Sequence, residues 1–401
     1  MEMVISRLMI RYAPANIVLF AEPKNLRNFI WINTAGMKKV LSAVMLFLAF
    51  CLTLSAETVK GSDGKITYIG RTMVKDGSVS FDWTGVYAKV RFQGSMLSFK
   101  VSDTNANYYN VWIDSPMSEK ADKVVRVHGK DTTIVLYNVK DRKASRTPHQ
   151  VIIQKRTEGS QGRTTIHGFT TDGQILQADP KKERLIEFIG DSYTCGYGTE
   201  ATNKDHFSPE TENQNLTYAC ETARYFGADQ IVIAHSGMGI TRNYNGNLTG
   251  SHMPEHYLRT FDQDDQIPWD AKSSSLRPDI TVIYLGTNDF STRMQPAERV
   301  FVKEYSRLIG EVKDNYGKEH PILCIAPKHD PLMETYIRKA IDNSGYENLH
   351  FLGLSKSIHN EESDMGADGH PNYSGHTKIA YTVIPCISTI MGWELNGNEI
   401  K

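Results

Sequence analysis

No two of the five cysteines in this chain stand at CxxC spacing, which excludes a zinc ribbon and a disulfide-framework fold. Charge of one sign is lacking too. Lys and Arg number 45 against 46 Asp and Glu, a formal net charge of −1, so nothing marks a surface for nucleic acid or an anionic membrane. No apolar run approaches the roughly 20 residues that span a bilayer, so no stable membrane insertion is expected. What is present is ordinary globular composition. The 401 residues are 40% hydrophobic and 23% charged, enough for about two domains at roughly 100–200 residues each.

The amino terminus reads as a targeting segment. Lys38-Lys39 precede an apolar stretch from Val40 to Leu54 that ends at Ser55-Ala56-Glu57. A basic start, a short apolar core and a small residue before a polar start describe a secretory signal peptide over residues 37–56. Residues 1–36 then form a non-native leader, with translation starting at Met37. Phe50 stands where a lipoprotein would need a small residue before an acylated Cys51. The expected location is secreted or periplasmic.

The remainder has two halves with different periods. From about 57 to 180, short alternating runs such as Ala88-Lys89-Val90-Arg91-Phe92 and Leu97-Ser98-Phe99-Lys100-Val101 are broken by Gly, Asp and Asn every ten residues or so. Period-two alternation predicts an antiparallel β-sandwich. From 181 to 401, apolar runs at Leu185–Ile189, Ile231–Ala234, Ile280–Leu285, Ile322–Ala326 and Leu349–Leu352 alternate with amphipathic stretches. That alternation predicts an α/β domain with a mostly parallel sheet, whose chemistry sits past the carboxyl ends of its strands.

Four such strand ends carry reactive or hydrogen-bonding residues. The first is Gly190-Asp191-Ser192, which places a serine where a nucleophile faces a cleft. The second is His235-Ser236-Gly237, whose backbone N–H could donate to an oxyanion. The third is Gly286-Thr287-Asn288-Asp289, with a side-chain amide. The last is Asp368-Gly369-His370-Pro371, an acid and a base. Taken alone, each is also what a turn or a helix cap carries. Their order along one domain supplies a nucleophile, oxyanion donors and a base. His376 competes as base but falls within the last helical run, where it reads as packing or capping. The GxSxG elbow of α/β-hydrolases is absent, and Gly196-Tyr197-Gly198 lacks the Lys-Ser/Thr of a phosphate loop.

These four blocks resemble those of the SGNH (GDSL-type) hydrolases. A closer likeness, to carbohydrate esterase family 2, the acetyl xylan esterase-like enzymes, rests on several further stretches. They are Thr194-Cys195-Gly196-Tyr197-Gly198, Gly237-Met238-Gly239 with Arg242-Asn243-Tyr244, Met253-Pro254-Glu255, Asn107-Tyr108-Tyr109-Asn110-Val111 and Lys155-Arg156-Thr157-Glu158. The resemblance implies an N-terminal jelly-roll sandwich followed by a three-layer SGNH domain. It implies Ser192 as nucleophile and His370 as base, with Asp368 as the acid that orients it. The Ser192 and Gly237 N–H groups and the Asn288 amide would form the oxyanion hole. The acid stands two residues before the histidine rather than the usual three, and Gly369 occupies a place where the family often carries Trp.

The expected function is a secreted serine esterase that removes O-acetyl groups from xylan, glucomannan or their oligosaccharides, without metal or organic cofactor. The loops after the first two strands are polar and aromatic and offer no aliphatic lining for a long acyl chain. Tyr108, Tyr109, Tyr193, Arg242 and Tyr244 are the candidate sugar contacts. Two other readings are an SGNH lipase or thioesterase, and a carbohydrate-binding protein without catalysis.

Overall fold

The structure, a computed structural model, describes residues 9–13, 16–20, 56–141, 144–327 and 330–395. The chain divides into two compact units, Met1–Ala56 and Glu57–Lys401. In the first, strands Met9–Ala13 and Asn16–Phe20 pair antiparallel, Ala13 opposite Asn16. The expected signal-peptide core, residues 37–55, lies outside the described residues.

The second unit begins with two antiparallel sheets of six strands each. Ser78–Phe81 alternates half-buried Ser with buried Val79 and Phe81, as a strand with one face in a core must. Val90, Phe92, Val111 and Val151 from one sheet, with Leu97, Phe99, Val101 and Phe169 from the other, are wholly shielded and form the sandwich interior. Phe99 and Phe169 are cross-strand partners with stacked rings 6.1 Å apart. A bulge interrupts this pair of strands at Gly168, where a Cβ would lie 2.4 Å from the Val59 carbonyl oxygen.

After residue 180 the architecture changes to a five-stranded parallel sheet. Its strands are β1 (Leu185–Gly190), β2 (Asp229–Ala234), β3 (Ile280–Tyr284), β4 (Ile322–Ala326) and β5 (Leu349–Gly353), in the order β2-β1-β3-β4-β5. The helices are α1 (Ser192–Cys195), α2 (Tyr218–Tyr225), α3 (Met253–Tyr257), α4 (Glu298–Tyr316), α5 (Pro331–Ser344) and α6 (Tyr373–Met391). All six residues of β1 are buried, as expected of a strand covered on both faces. Ile186, Phe188 and Val282 pack with Ala219, Ile379, Val383 and Ile387 of α2 and α6. Ile189 and Ile283 share a second cluster with Phe301, Tyr305, Met333 and Ile337 of α4 and α5, and that cluster continues into the sandwich interior. α5 starts with Asp330 as cap, accepting from the Leu332 and Met333 N–H groups, and Pro331 as its first residue.

The sandwich and the sheet are joined by buried polar contacts. Arg71 donates to the carbonyls of Tyr257 and Arg259 at 2.5 and 2.8 Å and faces Glu187 of β1 at 3.6 Å, with both side chains shut off from water. On the carboxylate side further partners support the pair, among them Tyr316, whose hydroxyl donates to Glu187 at 2.9 Å. Trp83 donates to the Thr260 carbonyl at 3.0 Å. The interface uses an element that the hydrophobic pattern does not reveal, an antiparallel pair at Arg259–Phe261 and Asp264–Pro268. Asp264-Asp265-Gln266 has too little apolar content to read as a strand.

Candidate active site

Strand order reverses around β1, so the cleft past the carboxyl ends of β1, β2 and β3 is where such a sheet places its chemistry. β1 delivers Gly190 and Asp191 to a tight strand-to-helix turn. A Cβ on Gly190 would lie 2.0 Å from Thr194 Oγ1, so only glycine lets the turn close. Asp191 caps α1 by accepting from the Tyr193 N–H at 3.1 Å. Ser192 is then the first residue of α1, where a backbone N–H has no acceptor within the helix.

His370 reaches Ser192 from the opposite side. It comes after a single helical turn, Ala367–Gly369, in which Asp368 and Gly369 both take positive φ, 51° and 76°. That sharp turn puts His370 Nε2 at 2.8 Å from Ser192 Oγ. The other nitrogen, Nδ1, lies 3.2 Å from the Ala367 carbonyl oxygen. A carbonyl only accepts, so Nδ1 carries the proton and Nε2 presents its lone pair to the serine hydroxyl. Burial holds the imidazole below its ordinary pKa, against the opposing pull of the Ala367 and Asp368 carbonyls.

The expected pairing of the Asp368 carboxylate with His370 is not made. The left-handed turn swings the carboxylate outward, where it accepts from His206 Nδ1 at 2.7 Å, the Phe207 N–H at 2.9 Å and the Tyr197 hydroxyl at 3.0 Å. The His206 bond comes first in holding Asp368 below the usual carboxylate range. Asp368 meets His370 through Tyr197 instead. That ring stacks on the His370 imidazole with centroids 4.1 Å apart and rests against Phe207 on its other side at 4.3 Å. Stacking leaves no spacing signature, so Tyr197 is not among the site residues expected from the sequence.

The other two expected oxyanion donors lie past the ends of the neighbouring strands β2 and β3. Gly237, at the end of β2, has φ 79°, a backbone region that favours glycine, and an added Cβ there would touch only Tyr244 Cβ at 3.6 Å. Asn288, past β3, donates its amide to the Met238 carbonyl at 2.8 Å and makes a longer contact with Asp191 at 3.4 Å. Its amide therefore lies between the neighbours of Gly237 and of Ser192. The adjoining Asp289 is buried and ties down the loop that follows β2, accepting from the Ile240 and Thr241 N–H groups and the Thr241 hydroxyl, each at 2.8 Å.

The five expected sugar contacts separate by burial. Tyr109 is enclosed in the sandwich, its hydroxyl 2.5 Å from Thr164, and cannot touch a ligand. Arg242 is also buried, donating to the carbonyls of Asp289 and Met294, so its charge holds a loop rather than a substrate. Tyr193 lies edge-on to His370 at 5.5 Å and packs against Tyr284, behind the imidazole. Tyr108 is half-buried and donates to Glu210. Tyr244 is 68% exposed beside Gly237. His376 is fully buried on α6, and burial pushes its pKa to about 3.

Two side-chain clusters bring metal-ligand atoms together among the described residues: His235, His256 and Asp262, and Glu158, Cys195 and Glu212. In the first, both Asp262 oxygens are already held by imidazoles at 2.7 Å each. The four described cysteines are free thiols.

A serine just past β1, in contact with a histidine in a turn ahead of the last helix, with a glycine and an asparagine past two further strands, is the arrangement expected of a GDSL-type hydrolase. Comparison with known proteins narrows this. Residues 68–180 match the model of the carbohydrate esterase 2 N-terminal domain, and residues 188–378 match the GDSL-like lipase/acylhydrolase family. The structure of a family two carbohydrate esterase from Clostridium thermocellum in complex with cellohexaose superposes with a TM-score of 0.74 at 31% identity, over 82% of this chain and 100% of that one. The chain belongs to family 2 of the carbohydrate esterases and is an esterase by family. The cellulase/esterase CelE of Acetivibrio thermocellus is 32% identical over 321 residues, which are 78% of this chain and 38% of that longer protein. An acetylxylan esterase / glucomannan deacetylase of Cellvibrio japonicus is 26% identical over 358 residues, 86% of this chain and 96% of that one.

Proposed function

We propose that this protein removes O-acetyl groups from acetylated xylan, glucomannan or their oligosaccharides through an acetyl-serine intermediate. The carrying observation is the 2.8 Å contact between His370 Nε2 and Ser192 Oγ, with Nδ1 held by a carbonyl. His370 takes the hydroxyl proton as Ser192 Oγ attacks the ester carbonyl carbon. The tetrahedral oxyanion is met by the Ser192 and Gly237 N–H groups and the Asn288 amide. His370 then protonates the departing sugar hydroxyl. Water, deprotonated by the same imidazole, releases acetate and restores the serine.

In this reading the machinery is a Ser192–His370 dyad. The Ala367 carbonyl fixes the tautomer, and Asp368 serves by holding Tyr197 over the ring. Tyr244 is the proposed sugar platform and Tyr108 a second contact. The names of the Cellvibrio japonicus relatives support acetylated xylan and glucomannan as substrates. Export is proposed from the apolar run behind Lys38-Lys39; no described helix is long and apolar enough to cross a membrane. The test is a series of p-nitrophenyl esters alongside acetylated xylan and glucomannan. Acetate should be cleaved much faster than butyrate and octanoate barely at all. A kcat/KM that rises with chain length would favour a lipase.

A further inference from the structure

The proposed oxyanion loop is gripped from outside its own domain. Glu158, three residues past the sandwich strand Pro148–Lys155 and 4% exposed, extends its carboxylate to the segments that follow β1 and β2. One oxygen, Oε2, accepts from the Ser236 N–H at 2.7 Å and from the Cys195 thiol at 3.5 Å. Ser236 immediately precedes Gly237, and Cys195 ends α1, the short helix that Ser192 begins. A single oxygen thus ties together the two backbone segments whose N–H groups would bind the oxyanion. Burial, with the Glu158 charge adding to it, raises the Cys195 pKa well above that of a free thiol, which keeps the thiol a donor.

Glu158 is itself held in place. Ser160 donates to its other oxygen at 2.9 Å, Lys155 donates to its carbonyl at 2.8 Å, and its N–H donates to Glu212 at 3.2 Å. The next residue must be glycine, because a Cβ on Gly159 would lie 2.4 Å from Asp262 Oδ2. That aspartate carries a second grip on the same loop. Asp82, also from the sandwich, accepts from the Asp262 and Gln263 N–H groups at 2.8 and 3.1 Å, and Asp262 holds His235 Nδ1 at 2.7 Å. The sandwich therefore fixes two consecutive residues, His235 and Ser236, just ahead of Gly237.

We infer that Glu158 is a positioning residue for the esterase reaction: through the Ser236 N–H and the Cys195 thiol it sets the spacing of the Ser192 and Gly237 oxyanion donors, making the sandwich part of the catalytic apparatus. The inference rests on the proposed acyl-transfer role of Ser192 and Gly237. Its physical basis is that oxyanion donors act only when held ready, so that a shift of about 1 Å costs on the order of a hundredfold in rate. A carboxylate that touches neither substrate nor nucleophile acts on kcat alone.

The test uses the full chain, with kcat counted per active site titrated by the acyl burst of p-nitrophenyl acetate, well below the unfolding temperature. Glu158→Ala should lower kcat by about 10- to 100-fold with KM within about threefold of wild type. Glu158→Gln, which keeps an oxygen for the Ser236 N–H, should recover most of that loss. If Glu158→Ala does not fold, Glu158→Asp carries the same expectation, since it withdraws the carboxylate by one methylene. Unchanged kcat per site in Glu158→Ala or Glu158→Asp, a loss confined to KM, or a Gln variant as slow as Ala would each overturn the inference while leaving the esterase reading intact. A wild type that turns over no ester would overturn that reading and the inference with it.

Discussion

His370 Nδ1 faces the carbonyl oxygen of Ala367 at 3.2 Å, where many serine hydrolases place a carboxylate. A carbonyl selects the same tautomer as a carboxylate would, through a weaker hydrogen bond, and it offers less to the imidazolium that forms during attack. The proposed dyad therefore depends on geometry set by the turn at Asp368 and Gly369.

Removing the Asp368 carboxylate should cost little. Loss of a true triad acid lowers kcat by about 10⁴, whereas Asp368→Asn should stay within about tenfold of wild type, because Asn tolerates the φ of 51° that this turn needs. Steady-state kinetics on p-nitrophenyl acetate decide it. A loss near 10⁴ would restore Asp368 as the orienting acid.

In the proposed mechanism the pH dependence follows from the burial of His370. His370 must be neutral to accept the serine proton, and its pKa is lowered from the ordinary 6.5. Activity should therefore persist below pH 6.5 and fall only as the pH drops through the lowered value. Tyr197→Ala uncovers one face of the ring and relieves that desolvation, so the acidic limb of kcat/KM should move upward. A limb that stays in place would mean that the stacked ring does not shield the base.

Asn288→Ala should reduce kcat by about 10²–10³ with KM nearly unchanged, as expected of a side-chain donor that acts only on developing charge. An effect in KM alone would make Asn288 a substrate-binding residue.

A stability effect should appear on the alkaline side. His235 is raised to about 9, with the Asp262 charge as the largest upward influence against the desolvation of burial. The folded state thus holds this proton more tightly than the unfolded chain does. The stabilisation is complete below the unfolded value near 6.5 and is lost as pH rises through about 9. Thermal melting midpoints across that window should decline in the wild type and decline less in His235→Asn. Parallel curves would exclude His235 as the source.

The parts of this molecule that obey a period were legible in its residues. Period-two runs such as Ala88–Phe92 lie inside observed strands, and the buried face of α4, with Phe301, Tyr305, Leu308 and Val312, recurs every three to four residues. The Ser192–His370 contact was legible because each residue sits in a motif at a strand end or turn. Features set by backbone direction were not legible. The sign of φ at Asp368 decides that its carboxylate leaves the base, and the stacking of Tyr197 depends on that departure. Nor did any spacing reveal that Tyr109 points into the sandwich, or that Glu158 reaches Ser236 across 78 residues of sequence.

Acetate release from acetylated xylan and glucomannan by wild type and by a folded Ser192→Ala variant tests the central claim most directly. The account expects steady release by the wild type and almost none by the variant, with an acetyl adduct on Ser192 trapped from the wild type by acid quench. Equal release by both proteins would contradict it.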